Sequence, residues 1–131
     1  MNTALIVLLL LCIFPFVMAT IAGVYRRKQL GNYDNKNPRG QYAELTGVGA
    51  RAVAAQQNCW EALAIYSAAL LAVFVSGAQP TYLAMAAVVV LVCRVLYCIF
   101  YLANIDLLRS LIFGLSILPS FYWFYVAITH S

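Results

Sequence analysis

Charge is what this chain has least of. Of its 131 residues only 9% are charged, and the acidic ones are Asp34, Glu44, Glu61 and Asp106. A soluble domain is about 25% charged and about 45–50% apolar. Here 65% of residues are hydrophobic and the mean hydropathy is +0.88, which excludes a soluble globular domain. Histidine is nearly missing as well: His130 stands alone, next to the C-terminus. The four cysteines, Cys12, Cys59, Cys93 and Cys98, form no CxxC pair, so no zinc set can be assembled and no metal is expected. All four lie in apolar runs and read as buried free thiols. No Lys or Arg precedes the first apolar run, as the basic start of a signal peptide requires, and basic residues follow it directly. A retained first helix is therefore expected, with the N-terminus outside.

What the chain does have is long apolar runs. A membrane span needs about 20 predominantly apolar residues, and the sequence holds four such stretches, at about 2–25, 46–76, 81–103 and 107–129. The expectation is one all-α domain over residues 1–131, a four-transmembrane-helix bundle. So small a unit has few interior positions, which favours an oligomer. Eight Lys and Arg against four Asp and Glu give a net charge of +4. Arg26, Arg27, Lys28, Lys36 and Arg39 crowd into the first connection, which reads as a polar cytoplasmic loop over Arg26–Leu45 by the positive-inside rule. So short a loop offers no folded surface for reading nucleic acid. Tyr33 and Tyr42 are expected at headgroup level, and Thr46 is placed to cap the second long helix.

The remaining ionisable residues stand inside or beside oil. A charge near a bilayer centre costs roughly 2.5–3.5 kcal/mol on insertion scales, so it usually faces a partner, a cavity or water. Arg51, Asn58 and Glu61 are spaced by seven and three residues and share one helix face, flanked by Gln56 and Gln57. Arg94, Tyr97 and Tyr101 are spaced by three and four and share another. Arg109 and Ser110 open the last helix. With the first loop inside, all of these fall in the cytoplasmic half. The expectation is a polar cavity in which Arg51, Arg94 and Arg109 converge on a small guest rich in carboxylates, since arginine holds carboxylates in bidentate fashion. The alternative is a structural pair of Glu61 with one arginine and no guest. The excess of arginine over carboxylate weighs against it, because a closed network should neutralise itself.

The run AQQNCWE at Ala55–Glu61 resembles the AQxNCxE stretch of the MAPEG family, the membrane-associated proteins of eicosanoid and glutathione metabolism. Arg94-x2-Tyr97-x3-Tyr101 resembles that family's third-helix motif, and Arg109–Ser110 its fourth-helix start. The resemblance covers nearly the whole chain. It implies a homotrimer in the lipid bilayer with sites between neighbouring subunits, and glutathione as co-substrate for a lipophilic small molecule. Members conjugate glutathione to electrophiles, reduce lipid hydroperoxides or isomerise a prostaglandin endoperoxide, and one binds lipid without catalysis. Carried over by position, Arg51, Gln56, Asn58 and Glu61 would line the glutathione pocket with Tyr97 and Tyr101, supported by Arg94. Arg26 or Arg27 would reach a glutathione carboxylate. Arg109 would sit at the thiol as the catalytic group, with Ser110 beside it. One departure stands out: Ala54 occupies the position where the family usually has a second arginine, which opens the alternative of a non-catalytic lipid- or thiol-binding protein on the same scaffold. Small four-helix exporters of the multidrug-resistance type share the size, but they carry a carboxylate in the first span and residues 2–25 have none. The short form and terse loops point to a bacterial inner membrane, with the endoplasmic reticulum as the alternative.

Overall fold

The computed structural model describes residues 1–130. Five helices are present among the described residues: α1 (Asn2–Leu30), α2 (Pro38–Glu44), α3 (Gly47–Ser76), α4 (Leu83–Leu102) and α5 (Asp106–Thr129). α1, α3, α4 and α5 are each long and apolar enough to cross a membrane, and α2 is a short helix inside the first connection. The chain is thus an all-helical, multi-pass membrane protein. The outer faces are mainly apolar, with Leu9, Phe16, Phe74, Val75, Leu118 and Ile128 all exposed. That is the surface expected of helices solvated by lipid.

The first connection differs from the expected loop. α1 continues past Tyr25 to Leu30, because Arg26, Arg27, Lys28 and Gln29 are good helix formers and two of the cations fall in the last turn, where they complement the helix dipole. Gly31 then stops the helix with φ 80°, a left-handed conformation that glycine adopts without a Cβ penalty. α2 starts at an Asn–Pro step: Asn37 Oδ1 accepts from the Gly40 backbone N–H at 3.3 Å, and Pro38 occupies the first turn, where its missing N–H costs nothing. Thr46 precedes α3 but its hydroxyl makes no cap. Its backbone is held instead by Gln29, whose Nε2 donates to Thr46 O at 3.0 Å and whose Oε1 accepts from Thr46 N at 3.0 Å. This amide clip ties the end of α1 to the start of α3.

α1 and α3 pack along a seam of small residues. On α3 the buried positions Gly49, Ala52, Ala55, Cys59, Ala62, Tyr66, Ala69 and Val73 recur every three or four residues. Small side chains let backbones approach closely where lipid offers no hydrophobic drive for helix association. The approach is tightest at Gly49, where an added Cβ would stand 2.8 Å from Tyr25 Cβ. Two apolar cores follow from this seam. One, toward the N-terminus of α1, gathers Ala4, Val7, Leu11, Tyr66, Leu70, Val90 and Trp123, with the Tyr66 hydroxyl donating to Ala4 O at 2.9 Å. The other gathers Met18, Ala55, Cys59, Tyr97 and Cys98 and forms the floor under the polar residues.

Candidate functional site

Five of the residues singled out from sequence meet in one cleft. Asn58 from α3, Tyr97 and Tyr101 from α4, and Arg109 and Ser110 from α5 line a space of about 270 Å³, together with Phe113. The short link Ala103–Ile105 brings the end of α4 and the start of α5 side by side. Asn104 takes φ 61° there, and Ile105 N donates to Phe100 O at 2.9 Å. Tyr97 and Tyr101, one turn apart on α4, meet edge to face with ring centres 5.6 Å apart. The Arg109 guanidinium lies 4.3 Å from the centre of the Tyr101 ring. A cation over a partly exposed ring face gains about 0.5–1 kcal/mol, which orients the guanidinium without neutralising it.

Asn58 presents an open acceptor. Its Nδ2 donates to Glu61 Oε2 at 3.2 Å, one turn along α3, while its Oδ1 is buried and has no partner. A buried acceptor left unmade costs about 1–3 kcal/mol, so a donor admitted by a small turn of the Asn58 side chain would recover that much. Glu61 is itself exposed and orients the amide from outside the cleft.

Within one chain the three arginines do not share the cleft. Arg109 alone of them lines the cleft. Arg94 is 1% exposed and lies beneath it, its guanidinium 4.2 Å from the centre of the Tyr97 ring and its Nη2 donating to Cys59 Sγ at 3.8 Å. Arg51 turns away to donate from Nε to Leu102 O at 3.2 Å, satisfying a carbonyl at the end of α4. Within one chain the cleft therefore holds a single guanidinium. The Leu102 carbonyl at the end of α4 engages the long Arg51 side chain instead.

Arg26 is also engaged elsewhere. It is buried, and its Nε and Nη2 both donate to Gln41 Oε1, at 2.8 and 2.6 Å. Tyr33 and Tyr42, expected at headgroup level, flank the same guanidinium at 5.3 and 5.0 Å. Arg26 is thus the anchor of the first connection. Arg27 is exposed. Gln56 faces a second, larger cleft of about 530 Å³, shared with Arg39, Tyr42, Gln57 and Trp60. The positions of Gln56 and Asn58 on α3 differ by about 200° at about 100° per residue, so one guest cannot meet both from the same chain. Phe113 carries no motif and is brought to the first cleft only by packing, while Arg39 and Trp60, noted in the sequence for other reasons, meet Gln56 in the second.

The model of the MAPEG family matches residues 4–129. No curated protein and no solved structure was found to match the chain.

Proposed function

The chain belongs to the MAPEG family, membrane proteins of glutathione and eicosanoid metabolism, and from that premise we propose that it is a glutathione-dependent membrane transferase or peroxidase. The observation that carries this reading is the cleft in which Arg109, held over Tyr101, faces Asn58, Tyr97 and Ser110. A free thiol titrates near pH ~8.5, so at neutral pH only a few per cent is the nucleophilic thiolate. A guanidinium beside the sulfur favours the anion, and lowering that titration by about two pH units takes about 2.7 kcal/mol. One partly desolvated arginine supplies a stabilisation of that order. The thiolate then attacks an electrophile or hydroperoxide dissolved in the bilayer, and the protein adds proximity and a stabilised anion. Asn58 in the cleft suits a peptide N–H of glutathione, and Glu61, outside it, suits the ammonium group at the far end of the tripeptide.

The cleft of about 270 Å³ is smaller than the usual small-molecule site of about 300–1,000 Å³. A single chain thus supplies part of a site. We assign the rest to a neighbouring copy in a homotrimer, whose Gln56 and Arg27 would approach from the face that they cannot reach within their own chain. The membrane of this reading is a bacterial inner membrane, with the basic first connection in the cytoplasm and both termini outside. The test is glutathione conjugation to a chloronitrobenzene, and hydroperoxide reduction, by the purified protein in lipid. Activity that falls about 100-fold in Arg109→Ala supports the reading; undiminished activity in that variant removes Arg109 from it. Ala54 favours a second reading, a binding protein without turnover. Titration calorimetry with glutathione that shows binding in a protein without either activity would select it.

A further inference from the structure

Two of the four free cysteines are in contact. Cys59 on α3 and Cys98 on α4 place their sulfurs 3.6 Å apart inside the bundle, and both are buried. Arg94 stands beside them. Its Nη2 donates to Cys59 Sγ at 3.8 Å, while Nη1 is buried and has no partner. A buried guanidinium needs a compensating negative charge, and a thiolate at Cys59 would supply it. A third feature opens the pair to the bilayer. An apolar cleft of about 200 Å³ has Phe14, Val17 and Met18 of α1 on one wall and Val95, Cys98 and Ile99 of α4 on the other. Val17, Val95 and Ile99 are exposed on the lipid-facing surface, so the cleft leads from the hydrocarbon to the Cys98 thiol.

We propose that Cys59 and Cys98 form a redox dithiol that a bilayer-dissolved hydroperoxide oxidises to a disulfide between α3 and α4. Cys98, which lines the cleft, attacks the terminal oxygen of the hydroperoxide. The O–O bond breaks, the thiol proton passes to the departing alkoxide to give an alcohol, and Cys98 becomes a sulfenic acid. Cys59, beside Arg94, then gives up its proton and attacks the Cys98 sulfur. The S–S bond forms, hydroxide leaves, and it takes up the proton that Cys59 released to give water. The two thiols lose two electrons in total and the peroxide gains them. Sulfenic acids condense with a neighbouring thiol in this way, and sulfurs already in contact need little rearrangement to do so. Oxidation would draw the Cys59 sulfur toward Cys98 and away from Arg94, which lies over Tyr97, and so reach the floor of the polar cleft.

The test uses the reduced protein in lipid nanodiscs with cumene hydroperoxide and no added thiol, so its result is independent of any glutathione activity. The expected result is loss of two free thiols per chain, one equivalent of cumyl alcohol, and a cross-linked peptide pair joining Cys59 to Cys98, all reversed by dithiothreitol. The Cys12→Ser/Cys93→Ser double variant should behave in the same way. Cys59→Ser should still release alcohol but accumulate a dimedone-reactive sulfenic acid at Cys98, and Cys98→Ser should release none. Four free thiols after treatment, or oxidation that maps to Cys12 or Cys93, overturns the proposal. The wild-type peptide map decides the matter even where a serine variant folds poorly.

Discussion

The Arg94 guanidinium lies 4.2 Å from the centre of the Tyr97 ring, one turn along the same helix, and it is 1% exposed. The aromatic face thus helps to hold a cation set among apolar helices, beside the Cys59 sulfur. Tyr97→Phe keeps the face and should leave stability nearly unchanged. Tyr97→Leu removes it and should cost about 2 kcal/mol, the worth of a desolvated cation–π contact. Thermal unfolding in detergent checks the pair, and equal melting temperatures for the two variants would contradict the assignment.

Arg109→Lys separates charge from shape. Lysine keeps a cation near the cleft but loses the planar group that stacks on Tyr101. The expected outcome is an intermediate glutathione-dependent rate, about 10-fold below wild type, since about 1.4 kcal/mol of lost orientation is a factor of ten. Steady-state kinetics in lipid measures it, and a rate as low as that of Arg109→Ala would place the function in the geometry of the guanidinium, not in its charge.

Gln41 holds the first connection by accepting two hydrogen bonds from Arg26 and one from the Asp34 backbone N–H at 2.9 Å. Gln41→Leu leaves a buried guanidinium short of its acceptor, at a cost of about 3 kcal/mol or more. Limited proteolysis should then cut between Gly31 and Leu45 at least ten times faster. Unchanged cleavage would mean that the cage of Tyr33 and Tyr42 suffices.

Gly49→Ala forces a methyl to within 2.8 Å of Tyr25 Cβ, an atom fixed by the α1 backbone. Relief requires α1 and α3 to part, so a loss of about 1–3 kcal/mol is expected, in the range for overpacked cores. Chemical denaturation in mixed micelles reads it directly. A variant as stable as the parent would show that the seam has slack.

The four long helices were legible because the bilayer imposes a length and a composition that few other environments demand. Asn58, Tyr97, Tyr101, Arg109 and Ser110 were legible for a related reason: polar residues are costly in oil, so each one present stands out. The fate of Arg26 was not. Nothing in a basic stretch beside Gly and Asn announces that one cation of the set will be buried against a glutamine. α2 was equally hidden, although its Asn–Pro start is a recognisable cap.

The sequence by itself determined which residues cross the membrane and which polar groups go with them, because both follow from transfer of side chains out of water. Tertiary structure alone decided which of those groups face one another. Arg51 met the Leu102 carbonyl, Arg109 met Tyr101, and Cys59 met Cys98 from 39 positions away. Such pairings depend on the rotation and depth of each helix, which are set by close packing at Gly49 and the alanines of α3, and no single helix carries that information.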